Sequence, residues 1–165
     1  MVGLDRAGAL RIEALAPFGA PAFVLVAAGG ESTLLVPREN RVLSGARVED
    51  VLDAVAGLPL GPADLLAVLT GCVRFEPVVS AAFEPAPGWT DARLSGGDRA
   101  WLRESAGSLR VVAGMRRDLA VEYEWQGGRF PARVTISRGS RPGQDGGGTR
   151  FTLSLSQIES NVELP

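Results

Sequence analysis

The chain has 165 residues, a formal net charge of −2 and a pI near 5.2, and it is long enough for one domain with a substantial core. It contains no histidine, and all 17 of its basic residues are arginine. These absences exclude a Ser-His-Asp triad, a Cys-His pair, an HExxH zinc site, a Schiff-base lysine and a P-loop lysine. The acidic balance gives no global basic field that would attract nucleic acid, so we expect no nucleic-acid partner.

The single cysteine, Cys72, excludes an internal disulfide and a multi-cysteine metal site. Its apolar context at the end of a predicted helix favours a buried, inert thiol. The sequence has no apolar run of about 18 residues that would span a bilayer. Residues 1–9 show neither a signal-peptide pattern nor a cysteine that could carry a lipid. We expect no cofactor and no metal.

Alternation of apolar and polar residues predicts short strands over residues 10–16, 23–28, 32–37 and 41–43. The short breaks between them favour an antiparallel meander. The first two strands are joined by a connection rich in Pro and Gly, with Phe18 at its tip. A large ring there either folds back onto the domain or is held out toward a membrane or partner. From the residues alone, fold-back is the commoner outcome.

Helical periodicity then replaces the alternation. Apolar residues at 48, 51, 52 and 55, with acids in the first turn, predict a helix over residues 47–56 that Gly57 ends. Pro62 suits the first position of a second helix over residues 62–70, which Gly71 ends.

Residues 77–108 are the least regular stretch, and we expect a long excursion with short strands around Trp89 and Trp101. Alternation returns in four segments that begin near residues 109, 119, 130 and 151, with a Gly-rich loop at about 139–149 before the last. Each segment has one apolar face, which is typical of an antiparallel sheet with one solvated face. The sequence therefore predicts an α+β fold: one domain over residues 1–165, whose long curved antiparallel sheet is covered by two short helices at about 47–71. An apolar cavity and a filled core both fit between sheet and helices.

Three motifs occur in a fixed order along the chain. The first is a strand, the tip Pro17-Phe18-Gly19 and another strand, and the second runs from VEDVL at 48–52 through GLPL at 57–60 to the helix before Gly71. The third is FPARVTI at 130–136, a variable loop, and RFTLSL at 150–155. In this order and spacing the chain resembles, over roughly residues 10–162, the LolB-type outer-membrane lipoprotein receptors, which are related in fold to the carrier LolA.

The resemblance implies an incomplete, strongly curved antiparallel β-barrel closed by helices, with a hydrophobic cavity for lipoprotein acyl chains. It also implies a membrane-contact loop formed by Pro17, Phe18 and Gly19, in which the ring at the tip helps to deliver lipoprotein into the outer membrane. Burying one Phe ring is worth about 1.5–3 kcal/mol, which suffices for transient contact with lipid but not for anchoring. The implied location is periplasmic or outer-membrane-associated.

Typical members of that family carry a signal peptide, a lipidated cysteine, a helix and one or two strands before the segment that matches Leu10. This chain begins almost at that strand, so the N-terminal part of the family fold is expected to be missing. The strand at Leu10 would then be an open sheet edge, through which a homodimer could form.

The residues expected to line the cavity are the apolar positions of the two helices and of the inward face of the sheet. From the helices these are Leu52, Val55, Leu65, Leu66 and Leu69, and from the sheet Ile12, Leu25, Leu35, Val111, Tyr123, Val134 and Leu153. Ordinary core packing is the alternative for each of them. A shortage of large side chains at the centre of the structure would separate the two interpretations.

The leading hypothesis is non-enzymatic carriage of lipoprotein acyl chains or similar lipids, driven by the hydrophobic effect, for insertion into the outer membrane. The alternative is a structural or assembly module of the cell envelope, with a filled core, that acts through sheet-edge or loop contacts. An enzyme needs paired acid and base groups. Because Glu122 and Glu124 are predicted to face solvent, and Asp98 and Glu104 lie in the irregular stretch, we expect no catalytic residues.

Overall fold

A computed structural model describes residues 1–14, 21–72, 79–94, 97–139 and 148–159 of the chain. These residues form twelve strands in two antiparallel sheets, together with two α-helices, so the predicted α+β class is confirmed. The chain divides into two compact units: Met1–Leu66 with Glu159–Pro165, and Ala67–Ile158. The strands pair in two separate sheets within the described residues, instead of the one continuous sheet that the sequence analysis predicts.

The first unit contains a five-stranded meander in which each strand pairs with its neighbour along the chain. Its strands are β1 (Val2–Leu4), β2 (Leu10–Ala14), β3 (Phe23–Ala28), β4 (Glu31–Val36) and β5 (Arg41–Ala46), with a 3₁₀ turn at Pro37–Glu39. The predicted meander is therefore confirmed. The prediction that the strand at Leu10 is an open edge is wrong, because β1 pairs with it and places Leu4 opposite Leu10.

Two helices follow, α1 (Val48–Ala56) and α2 (Pro62–Thr70), close to their predicted bounds. In α1, Val48, Val51 and Leu52 are buried, and the helix contacts β4. Gly57 ends α1 with a φ of 65°, a left-handed conformation that glycine adopts at little cost, and its N–H bonds to the carbonyls of Asp53 and Leu52. Val55 is 43% exposed in the last turn, so its predicted interior position is wrong.

The register of the first sheet decides which face of each strand is buried. Leu25 in β3 lies directly opposite Leu34 in β4, and both are buried. On the other face Val24 lies opposite Leu35, which is 39% exposed. Because successive side chains of a strand point to opposite faces, only one of Leu34 and Leu35 can face inward. The prediction that Leu35 faces inward is wrong, and Leu34 takes that place.

The second unit contains a seven-stranded meander, again ordered as in the chain. Its strands are β6 (Val79–Phe83), β7 (Trp89–Leu94), β8 (Arg99–Ser105), β9 (Ser108–Arg116), β10 (Leu119–Glu124), β11 (Arg133–Arg138) and β12 (Arg150–Ser154). The last four were predicted as regular strands, and the short strands expected around Trp89 and Trp101 are β7 and β8. The described part of this stretch also contains β6, which the sequence analysis does not predict.

A β-bulge changes the facing of residues along β9. Trp101 of β8 lies opposite Ala113, but its neighbour Leu102 lies opposite Val111, so Val112 is an extra residue on the bulged strand. Val111 therefore faces the same side as Leu102, whereas Ala113 faces the side of Trp101. The predicted strict alternation of Leu109, Val111, Ala113 and Met115 on one face does not hold.

Candidate functional site

The structure distributes the predicted lining residues over both units. The buried ones are Leu25, Leu52, Leu65, Val111, Tyr123 and Val134, and the half-buried ones are Ile12, Leu66, Leu69 and Leu153. Leu35 and Val55 are exposed, as described above. Register brings one subset together, since Tyr123, Val134 and Leu153 lie in line across β10, β11 and β12. The predicted membrane-contact loop, Pro17, Phe18 and Gly19, lies outside the described residues.

One face of the seven-stranded sheet, here called the apolar face, carries this subset. Adjacent to it, register aligns a row of residues that spans all seven strands: Ala82, Ala92, Ala100, Gly114, Val121, Ile136 and Phe151. The first four, on β6 to β9, are alanine or glycine, whereas the last three are large. Neighbouring strands lie about 4.8 Å apart, so the small residues span roughly 14 Å of the face. Large side chains are therefore lacking in this row over one half of one sheet.

The row of small residues is open at one end. Ala92 and Ala100 are buried, with 4% and 0% exposure, but Ala82 on β6 is exposed. Here the structure has an open cavity of about 320 Å³, whose walls are about equally polar and apolar. It is lined by Ala82, Phe83, Glu84, Gly88, Trp89, Thr90, Glu104 and Leu109.

Two glutamates supply most of the polar groups of this cavity. Gly88, directly before β7, hydrogen-bonds to both residues. Its N–H donates to the side-chain Oε1 of Glu84 at 3.3 Å, and its carbonyl accepts from the backbone N–H of Glu104 at 2.7 Å. The carboxylates can accept hydrogen bonds from amide or hydroxyl groups, and they repel other carboxylates.

Arginine and aromatic side chains occupy the opposite face of β6, β7 and β8. We call this surface the arginine–aromatic face; it comprises Phe83, Trp89, Trp101, Arg93, Arg99 and Arg103. Three guanidinium groups lie over the three rings: Arg93 over Phe83 at 5.1 Å, Arg99 over Trp101 at 4.7 Å and Arg103 over Trp89 at 5.3 Å from the ring centroids.

One acid lies among these arginines. The Arg99 Nε–H donates to Asp91 Oδ1 at 2.7 Å, and Arg99 Nη2 donates to Asp91 Oδ2. The hydrogen bond from Arg99 holds the pKa of the Asp91 carboxyl below its ordinary value, against the opposing effect of partial burial. Asp91 is therefore ionised and neutralises Arg99, whereas Arg93 and Arg103 form no ion pair within the described residues.

Tyr123 is the buried titratable group of the apolar face. Burial raises the pKa of its phenol, and the charge of Cys72 adds a smaller effect in the same direction. The Tyr123 ring lies 6.3 Å from that of Trp125, whose indole N–H donates to the Val111 carbonyl at 2.8 Å. Cys72 itself is exposed, so its predicted burial is wrong: it follows Gly71, where the chain turns away from α2 with a φ of 68°.

The four carboxylates considered for catalysis lie on or beside two strands, Glu122 and Glu124 on β10, Glu104 on β8 and Asp98 directly before β8, and Glu122, which was predicted to face solvent, is half-buried. Glu124 is exposed and accepts from Arg133 at 3.0 Å, and Asp98 lies 3.7 Å from Arg116. Glu104 lies in β8, not in a loop, and lines the cavity. Across the described ranges, no group of three potential metal ligands comes together, and no helix is long and apolar enough to cross a membrane.

Sequence reasoning missed the cavity and the arginine–aromatic face. The signal for the second was present, because Trp89, Asp91 and Arg93 alternate along one strand and Arg99, Trp101 and Arg103 along the next. No protein-family model matches the chain, and no curated protein matches it in sequence. The functional interpretation therefore depends on the geometry of the site and on the resemblance in motif order.

Proposed function

We propose that this protein is a non-enzymatic carrier that binds lipid acyl chains, such as those of lipoproteins, on the apolar face of the seven-stranded sheet. The observation that carries the proposal is the cavity at the open end of the Ala82, Ala92, Ala100 and Gly114 row. The small side chains leave space above the sheet on β6 to β9, and the larger Val121, Ile136 and Phe151 form a wall at the end of this space. An extended apolar chain fits such a trough.

The energetics of this site come from burial of methylene groups. Each CH₂ removed from water contributes about 0.8 kcal/mol, so the affinity should rise with the number of methylenes held beside Ala82, Trp89 and Leu109. Ala92 and Ala100 are covered, so the acyl chain would enter at Ala82 and reach further only by displacing the side chains above them. A carrier needs binding of this moderate kind, because release must follow delivery.

Glu84 and Glu104 narrow the ligand class. Their carboxylates suit the amide N–H groups of an acylated peptide, and they disfavour the negative head of a free fatty acid. Together with the resemblance to the LolB-type receptors, the two carboxylates support lipoproteins as cargo. The resemblance also supports a periplasmic or outer-membrane-associated location and delivery to the membrane by the loop that contains Phe18.

Neighbouring alanines on β6 provide a matched test. Ala82 lines the cavity, whereas Ala81 lies opposite Arg93 on the other face of the sheet. In Ala82→Trp the indole should fill the cavity. If it excludes only two methylenes of the acyl chain, binding of a triacylated lipopeptide weakens by about 1.6 kcal/mol, which is about 15-fold in affinity. Ala81→Trp should bind like the unaltered chain. Equal affinities for both variants, measured by isothermal titration calorimetry, would contradict the proposed site.

A second candidate, an assembly module of the cell envelope, is favoured by one observation in the first unit. On the outer face of its sheet, Val26, Leu35 and Val42 are 40%, 39% and 61% exposed, and β5 is a sheet edge within the described residues. An exposed apolar face beside an open edge is suited to pairing with another chain, including a second copy. A dimer that Val42→Lys dissociates, observed by analytical ultracentrifugation, would support this alternative; a monomer at all concentrations would contradict it.

A further inference from the structure

The arginines of the arginine–aromatic face lie on the opposite side of the sheet from the row of small residues, and of this face only Phe83 and Trp89, at one end, also line the cavity. We infer that this face docks on the surface of a bilayer that contains anionic phospholipids. The inference does not depend on the proposed cargo, since docking needs neither the cavity nor a lipopeptide.

The register of β7 and β8 places the charges on one surface. Arg93 lies directly opposite Arg99, and Trp89 lies directly opposite Arg103. Like charges opposite each other destabilise a sheet unless a counter-charge is supplied. Asp91 supplies it, since its carboxylate bonds to Arg99 and is also close enough to Arg93 for an electrostatic interaction, whereas Arg103 forms no ion pair within the described residues. With three arginines and one aspartate, this face has an excess of two positive charges on a chain whose net charge is −2.

The rings on this face keep the arginines extended over the sheet. A guanidinium stacked on a ring retains its in-plane N–H groups, which point to the side and can donate to phosphate oxygens. The same stacking covers one face of each ring, so Trp89 and Trp101 offer less surface on which a nucleobase could stack. Phosphate is thus recognised better than bases, which favours a lipid surface over single-stranded nucleic acid.

At one end of this face an exposed aromatic side chain is available for contact with lipid. Phe83, on this face, is 51% exposed, whereas Leu109, which is 53% exposed and lines the same cavity, lies opposite Glu104 on the other face of the sheet. Trp89 lies beside them. Aromatic and apolar side chains next to arginines are typical of residues that reach the interface between lipid head groups and acyl chains.

The test is co-sedimentation of the protein with vesicles, using two variants that lose the same charge. Arg93→Gln with Arg103→Gln removes the two exposed arginines of the face that do not hydrogen-bond to Asp91, whereas Arg41→Gln with Arg47→Gln removes two exposed arginines of the first unit. Each basic residue near an anionic surface contributes about five-fold, so the first variant should bind vesicles of equal parts phosphatidylglycerol and phosphatidylcholine about 30-fold more weakly. The control variant should bind as the unaltered chain does.

Several results would overturn the inference: equal weakening in both variants, equal binding to pure phosphatidylcholine vesicles, or no vesicle binding at all. Binding of an oligothymidylate in place of vesicles would assign the face to nucleic acid instead. Circular dichroism of each variant checks folding. As a second measurement, brominated lipids should still quench the tryptophan fluorescence of Trp125→Phe, which retains Trp89 and Trp101. Ala82→Trp retains Arg93 and Arg103, so its binding should still depend on anionic lipid, and failure of the cavity is distinguishable from failure of the charged part of the docking face.

Discussion

Asp91 and Arg99 form a two-point ion pair between β7 and β8, in the centre of the arginine–aromatic face. The Asp91 side chain is only 12% exposed, whereas that of Arg99 is 40% exposed. The pair fixes the position of Arg99 over Trp101. Because Arg99 lies opposite Arg93, the negative charge of Asp91 also reduces the repulsion between these two arginines.

We predict that Asp91→Asn lowers the free energy of unfolding at neutral pH by about 1–2 kcal/mol, a value reduced from that of a buried charged hydrogen bond because Arg99 is partly solvated. Because the pKa of Asp91 is lowered in the folded chain, its contribution is present above the ordinary value of 3.8 and is lost as pH falls below it. Urea denaturation across this range measures the difference. Glu124→Gln, which loses an exposed ion pair with Arg133, is the control and should change stability by less than about 1 kcal/mol.

Leu34 and Leu35 are neighbours on β4 with opposite environments. We predict that Leu34→Ala, which removes a side chain that is 5% exposed, costs about 2–5 kcal/mol of unfolding free energy. Leu35→Ala should cost less than about 1 kcal/mol, because that side chain is 39% exposed. Thermal or chemical denaturation of the two variants checks the register directly. Equal losses would mean that the register of β4 is incorrect.

Substitution of Gly71 and of Gly127 by alanine distinguishes the cost of backbone strain from the cost of a steric contact. Both have positive φ, 68° and 79°, but a Cβ at Gly71 would lie 2.7 Å from the Trp125 ring, and a Cβ at Gly127 would meet nothing within 4 Å. We predict that Gly127→Ala costs about 1–2 kcal/mol from strain alone. Gly71→Ala should cost about 1–3 kcal/mol more, because the indole must move. Denaturation curves that show equal costs would contradict the contact with Trp125.

Tyr123 is the only tyrosine, which makes its ionisation directly visible. Because burial raises the pKa of its phenol, we predict no tyrosinate absorbance in the folded chain near the ordinary value of 10.0, and normal ionisation in urea. The stability that the neutral phenol provides is present below that pH and is lost as pH rises above it toward the pKa of the folded chain. Tyr123→Phe should remove this part of the alkaline pH dependence. A native titration that matches the one in urea would show that Tyr123 is solvated.

The secondary structure of the chain was largely predictable, because its periodicity is strong in most segments. The Gly57 and Gly71 helix ends and the Leu119–Glu124 strand match their predictions closely. The strands of residues 79–105 were hidden for a physical reason. Their buried face is made of Ala92, Leu94 and Ala100, and their exposed face contains Trp89 and Trp101, so hydrophobicity does not alternate.

The site was less predictable than the strands. Two adjacent leucines, Leu34 and Leu35, give no local signal of which one faces inward; the pairing of Leu34 with Leu25 decides it. A bulge at Val112 cannot be inferred from alternation, and it changes which residues of β9 join the apolar face. The row of small residues exists only through the register of four strands, because Ala82, Ala92, Ala100 and Gly114 are unremarkable in the sequence itself.

The measurement that tests the central claim most directly is native mass spectrometry of the intact chain with a triacylated lipopeptide. We predict one bound lipopeptide per chain, weaker or no binding of palmitate, and loss of the lipopeptide adduct in Ala82→Trp but not in Ala81→Trp. A folded chain that binds no lipopeptide, or that binds it equally well in both variants, would contradict acyl-chain binding on the apolar face. A persistent dimer without lipid would instead support the envelope assembly module.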